Sequence, residues 1–325
     1  MEQFITFSRS LTIPLTKACS NACLYCGFRE VEAGLIAEEE LDFLVSKARK
    51  GGYWETLLMS GERPQREEAV KEELRARGYE TFVHFSRDVA AGMLEEGLLP
   101  HSNLGCLNST ELKLLSEVNA SMGLMLENIN QEFGEKVHPG KNIPARLSTL
   151  EEAGKLKVPF TTGILIGLGE RHKDRLESLE GIAYLANRYS HIQEVIIQPY
   201  VQNKGSRLVP VPAGVEEVKE LVKYARALMP EVAVQVPPNL WPFWRELVEV
   251  GARDLGGISD EPDLINPEQR WRQARSYARS LAKIGFLLEK RLPIYVGFYK
   301  KGWYSERVGK VIHKWIEKGF GHYLN

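Results

Sequence analysis

Residues 10–28 read SLTIPLTKACSNACLYCGF. A short apolar run rich in β-branched residues leads straight into a loop carrying Cys19, Cys23 and Cys26. The run has the composition of a buried strand, so the three thiols stand where that strand ends. The fourth cysteine of the chain, Cys106, sits far away in HSNLGCLNS, which has no second ligand pair of its own. A structural zinc site closes a tetrahedron with four Cys or His ligands, usually offered as two short pairs, and no HxxxH or second CxxC accompanies the loop. Three clustered thiols cannot all pair as disulfides, and a chain of this length has core enough without staples. Zinc and disulfide stay open on the residues alone, but iron–sulfur ligation suits the pattern better. Cysteine thiolates hold cluster irons, and three of them on one loop leave one iron of a four-iron cluster without a protein ligand. An open coordination position is a place for chemistry.

The 325 residues are 43% hydrophobic and 26% charged, the composition of an ordinary globular protein. Lys and Arg number 42 against 43 acidic residues, so no overall attraction to nucleic acid is expected. The N-terminal sequence lacks a basic stretch followed by a long apolar core, and no run of about 18 apolar residues occurs. The expectation is a cytoplasmic protein with neither nucleic acid nor membrane as partner. That compartment keeps thiols reduced, in agreement with metal-binding cysteines.

Beyond the loop, strand-like and helical runs alternate. Helical spacing appears in AEEELDFLVSKARKGG, with Leu41, Phe43 and Leu44 on one side, and again over 65–77, 81–96, 109–118, 144–156, 171–189, 214–228 and 242–250. Between them lie TLLMSGE, GLLPHSN, ASMGLMLE, PFTTGILIGL, IQEVIIQPY, VAVQVPP and DLGGIS. With SLTIPLT these make eight strand–helix units, which predict a parallel sheet rolled into a (β/α)8 TIM-like barrel or a partly open version of it. No linker separates two independent units. The division expected is a barrel over 1–265 and a helical, aromatic-rich C-terminal extension over 266–325, packed on the barrel. In such a barrel reactive groups gather where strands end, and here SGERP, HSN, GLGE, QPY and PPN follow successive strands.

With these residues in view, the chain resembles the radical S-adenosylmethionine (SAM) enzymes. Cys19, Cys23 and Cys26 meet their CxxxCxxC signature, and Tyr25 is the aromatic residue usual before the third cysteine. The resemblance implies a [4Fe–4S] cluster on the three cysteines, with SAM on the open iron and a low-potential electron donor. It further implies cofactor contacts at Tyr25, at Gly61 and Glu62 of SGERP, at Arg146 as partner of the SAM carboxylate, and at Gly163 and Gly167 of TTGILIGLGE beside the adenine. Cys106 is expected to take no part in ligation.

Taken together, GERP (61–64), EEGLLPHSN (95–103), VNASMGLMLE (118–127), PFTTGILIGLGE (159–170), HIQEVIIQPY (191–200), PPNL (237–240), DLGGIS (254–259) and INPE (265–268) are similar to the deazaflavin-forming radical SAM enzymes. The likeness spans nearly the whole chain and points to the single-module subunit rather than its partner subunit, CofH, or the fused two-domain form. It implies a lyase that builds the deazaflavin chromophore of coenzyme F-420 from a hydroxybenzyl adduct of a ribitylaminouracil supplied by that partner, with loss of ammonia. A ribityl chain and a uracil ring demand several hydrogen-bonding groups, for which Asn103, Gln198 and Asn239 are the candidates, with His101 and Asp254 as proton relays. Two departures stand out: Cys106 replaces an apolar residue, and QPY differs from the QNF-like run of this subunit. Another radical SAM enzyme, of the menaquinone-pathway or biotin-synthase-like kind, and a metal-binding protein without turnover are the competing readings.

Overall fold

The computed structural model describes residues 3–324. The first half of the chain runs β1 (Gln3–Thr16), α1 (Glu38–Lys50), β2 (Glu55–Ser60), α2 (Glu68–Ala76), α3 (Phe82–Glu95), β3 (Leu99–Asn103), α4 (Ser109–Ser116), β4 (Ser121–Gly123), α5 (Gln131–Val137) and α6 (Ile143–Lys155). It continues through β5 (Phe160–Ile166), α7 (His172–Tyr189), β6 (Ile192–Pro199), α8 (Val215–Leu228), β7 (Ala233–Gln235), α9 (Trp244–Glu249) and β8 (Asp254–Ile258). The last segment holds α10 (Ala274–Ala282), β9 (Phe286–Lys290), α11 (Val296–Lys300) and α12 (Glu306–Glu317).

Strands β1 to β8 pair in sequence order, all parallel, and β1 also pairs with β2, so the barrel is closed rather than partly open. Parallel barrel strands are covered on both faces, inside by other strands' side chains and outside by helices. The sequence obeys this: every residue of β5, FTTGILI, is buried. Outside the sheet, Leu58, Leu99, Val195, Leu179, Ile182 and Leu221 belong to one continuous apolar core shared by strands and helices. Gly163 is required where β5 crowds β6, because a Cβ there would lie 2.3 Å from the carbonyl oxygen of Ile196.

The closure is thinnest between β7 and β8, where Gln235 and Asp254 form the one register pair. The C-terminal segment is mainly helical, with the addition of β9, which the sequence pattern did not suggest. Its residues Phe286–Lys290 pair in parallel with Gln3–Phe7 of β1, while Ser10–Thr16 pair with β2. The aromatic tail packs on this same region: Trp54 lies 5.1 Å from Phe320, ring centre to ring centre, and 6.2 Å from Trp315. Tyr323 is fully buried and donates its hydroxyl hydrogen to the Ile294 carbonyl at 2.6 Å. Among the described residues no helix is long and apolar enough to cross a membrane.

Candidate active site

A cavity of about 510 Å³ runs through the barrel. Cys19, Cys23 and Cys26 line it at the end where the strands finish, and Glu55, Glu194 and Arg291 line it near where they start.

The cysteine loop is held by the turn after β2. The backbone N–H of Ser20 donates to the Glu62 carbonyl at 2.9 Å, and the Glu62 N–H donates to Cys19 Sγ at 3.2 Å. Gly61 permits the approach: a Cβ there would stand 2.1 Å from the Ala18 oxygen and 2.4 Å from Cys19 Cβ. On the other side, Leu24 and Ala22 donate to the Val137 and Pro139 carbonyls at 2.8 and 3.0 Å. Three thiols on one braced loop, one already accepting N–H bonds, face a common cavity, which fits a thiolate-held cluster. Burial pushes the Cys23 thiol up to about 11 against the pull of Lys141, so iron binding there releases a proton. Cys106 lies apart from the loop, buried beside the Arg146 guanidinium.

Beside the loop sits a charged cluster that sequence reading found only in part. Arg146 Nη1 donates to Glu62 at 3.1 Å, and its Nη2 lies 3.9 Å from Glu127. Tyr25 donates to Glu127, and Lys141 donates both to Glu127 and, at 2.7 Å, to the Tyr25 oxygen. Burial alone would raise the Glu127 pKa, but the Lys141 and Arg146 charges overcome it and hold the carboxylate at about 2. Burial and the adjacent Glu127 drive Tyr25 well above the usual phenol range, so it remains a donor. Glu127 follows β4 in a left-handed conformation, φ 67°, which aims it back at the loop. The strand-end rule applied to the fourth strand would have found it; no sequence signal marks Lys141.

Of the expected site residues, Tyr25, Gly61, Glu62, His101, Asn103, Arg146, Gln198 and Asn239 line the cavity with the three cysteines. Gly163 and Gly167 do not. Gly167, at φ 101°, belongs to a turn in which Glu170 accepts from the Gly167 and Leu168 N–H groups at 2.9 and 2.8 Å. Asn239 donates to Asp263 at 3.2 Å and to the Gln269 carbonyl at 3.1 Å, and its buried Oδ1 has no protein partner.

Two polar groups differ from expectation. Asp254 opens β8, at the end of the barrel remote from the cysteines, and accepts from Arg291 at 2.6 and 3.0 Å, from the Gly256 N–H at 2.5 Å and from Thr6. Both its oxygens are engaged, which makes it an anchor for Arg291 rather than a proton relay. His101 Nδ1 lies 2.6 Å from Ser121 Oγ, which donates its single proton to the Pro293 carbonyl at 2.6 Å. Nδ1 therefore carries the imidazole hydrogen, and Nε2 is left as an acceptor. Burial and the Arg291 charge lower the His101 pKa to about 3, so the ring stays neutral.

A closed parallel barrel with three thiols on the loop after its first strand is the architecture of one class, and the matching agrees: residues 13–182 fit the family model described as the radical SAM superfamily. The chain belongs to that superfamily and, within it, to the 7,8-didemethyl-8-hydroxy-5-deazariboflavin synthases. It is 42% identical to the synthase of that name from Archaeoglobus fulgidus, over 97% of this chain and 98% of the relative. It is also 42% identical to the one from Methanosarcina mazei, over 95% and 94% of the two chains. Among solved structures, the FeFe-hydrogenase maturase HydG from Carboxydothermus hydrogenoformans superposes with a TM-score of 0.68 at 20% identity, covering 88% of this chain and 68% of that one; this likeness speaks for the fold alone. Membership of the superfamily implies a [4Fe–4S] cluster and SAM.

Proposed function

We propose that this chain catalyses the formation of 7,8-didemethyl-8-hydroxy-5-deazariboflavin, the deazaflavin chromophore of coenzyme F-420, as a radical SAM lyase. The substrate is the hydroxybenzyl adduct of a ribitylaminouracil made by the partner subunit, CofH, and the reaction closes the third ring with loss of ammonia and a net two-electron oxidation for which SAM, cleaved to methionine and 5′-deoxyadenosine, would be the oxidant. One observation carries the reading: the cysteine loop and its charged cluster open onto a single cavity that continues into a polar barrel interior, in a chain that matches synthases of this name along almost its full length.

When bound, the cluster and SAM would supply the 5′-deoxyadenosyl radical chemistry needed for hydrogen-atom abstraction from the substrate. Cys19, Cys23 and Cys26 would hold the irons. Glu62 and Arg146 pair with each other at 3.1 Å and are placed to exchange that contact for the SAM ammonium and carboxylate, an exchange of one ion pair for two. Glu127, Lys141 and Tyr25 lock the loop against the barrel. Deeper in, His101 offers Nε2 to an N–H or O–H of the substrate and orients it without storing a proton, while Asn103 and Gln198 supply donors and acceptors for a pyrimidine edge. We assign residues 1–265 to the barrel and 266–325 to an extension that floors it, and place the protein in the reducing cytoplasm with a low-potential donor.

The test is anaerobic reconstitution with iron and sulfide, then incubation with SAM, reductant and the adduct. Deazaflavin fluorescence is expected. Tyrosine and ribitylaminouracil, supplied together without the partner subunit, are expected to yield none. Product in that second incubation would mean that the chain performs both halves of the pathway.

A further inference from the structure

The deep end of the cavity carries polar groups that the chemistry at the cysteine loop leaves unused. Glu55, the first residue of β2, is 7% exposed, and its Oε2 has no hydrogen-bond partner, the nearest cation being Arg291 Nη1 at 3.9 Å. Ser10, opposite Glu55 in the β1–β2 register and 6% exposed, has an unpartnered Oγ as well. Both line the cavity, together with the Gln235 side chain. Arg291 commits its other nitrogens elsewhere: Nε and Nη2 to Asp254 and Nη2 again to Glu194 at 3.0 Å. Three carboxyl groups thus meet one guanidinium. Burial raises both Glu55 and Glu194, the latter to about 8; Arg291 pulls both the other way, and the neighbouring Ser8 and Ser10 hydroxyls also pull Glu55 down.

A buried acceptor left without a donor is destabilising, so unpartnered oxygens facing a cavity mark where a ligand or water completes the bonding. Anions are excluded by the carboxyl groups. A hydroxyl both donates and accepts, so adjacent hydroxyls on one chain can give a hydrogen to Glu55 and exchange bonds with Ser10 and the Gln235 amide, which an apolar group cannot.

We infer that this floor, formed by Ser10, Glu55, Gln235 and Arg291, docks the polyhydroxylated chain of the substrate, with Glu55 as the acceptor that sets specificity. The inference rests on the proposed deazaflavin-forming activity and adds the orientation: sugar-alcohol chain down against the floor, ring system up at the level of His101 and toward the cysteines.

The test compares the ribityl adduct with two analogues, one carrying a plain alkyl chain of equal length and one an aminoalkyl chain. Binding is measured by calorimetry on the cluster-loaded protein, beside KM and kcat. The wild type should bind the ribityl adduct at least about tenfold more tightly than the alkyl analogue, the equivalent of one or more buried hydrogen bonds. In Glu55→Gln and in Ser10→Ala that preference should shrink, with the loss falling on KM rather than kcat. Ser10→Ala removes a small hydroxyl that faces Glu55 across the β1–β2 pair, so it reports even where Glu55→Gln fails to fold. No preference in the wild type, an undiminished preference in Ser10→Ala, or tightest binding of the aminoalkyl analogue would each overturn the inference. Chain-dependent binding without deazaflavin product would instead sink the proposed reaction and leave the floor assignment standing.

Discussion

Glu127→Gln tests whether the charged cluster beside the cysteine loop is held by a buried carboxylate. The substitution keeps shape and removes one charge from between Lys141 and Arg146. Glu127 sits at about 2 in the folded chain against an ordinary 4.5. At about 1.4 kcal/mol per pH unit, that gap corresponds to roughly 3 kcal/mol of folding stability, in the range found when one partner of a buried ion pair is removed. The carboxylate is depressed, so its contribution is complete above pH 4.5 and drains away as pH falls toward 2. Urea unfolding of both proteins, stripped of cluster and kept reduced, should therefore show a gap of about 3 kcal/mol at pH 7, nearly unchanged at pH 6, and narrowed by roughly 2 kcal/mol at pH 3. A gap that stays constant from pH 7 to pH 3 would refute the electrostatic account, because loss of packing alone has no reason to titrate in that window.

Further outcomes are expected. Cys23→Ala should abolish the cluster absorbance and Cys106→Ser should retain it; a folded Cys106→Ser chain unable to load iron would reverse that assignment. Glu62→Gln should weaken SAM binding by about tenfold in calorimetric titration, through loss of a charge-assisted contact, and unchanged affinity would remove Glu62 from the SAM site. Gly163→Ala forces a methyl against the Ile196 carbonyl and should cost about 1–3 kcal/mol in denaturant unfolding, as overpacking does. The pH profile of kcat should show no limb near 6.5 that His101→Gln removes, since the buried ring stays neutral down to about 3; disappearance of such a limb in the variant would show a titrating His101.

All eight barrel strands were legible because parallel strands bury both faces and stand out as apolar runs between amphipathic helices. The cysteine triplet was legible because a ligand set needs fixed spacing along the chain. Glu127 closes the run ASMGLMLE and was within reach of the strand-end rule; what the pattern does not announce is the left-handed backbone, beyond the three-residue β4, by which its carboxylate turns back to the loop. Lys141 and Arg291 escaped because each is brought in by tertiary contact alone. Asp254 was misjudged in direction: DLGGIS shows a polar residue on a strand, but the aspartate heads the run, and the reactive end of a barrel strand is the other one. β9 was hidden because a five-residue run with one buried position looks like surface, and only its pairing with β1 makes it a strand.

That pairing has a consequence for how the protein is made. β1 is synthesised well before β9, yet Arg291, one residue past β9, is the cation on which Glu55, Glu194 and Asp254 converge. A ribosome-bound chain that has already exposed all eight barrel strands still lacks the charge that neutralises their interior. Its carboxyl groups must remain hydrated or protonated until Arg291 leaves the exit tunnel, so the barrel cannot seal dry before that point. Sealing of the barrel is therefore timed by the segment that carries Arg291, and a chain stalled before residue 291 is expected to keep an acidic, hydrated centre.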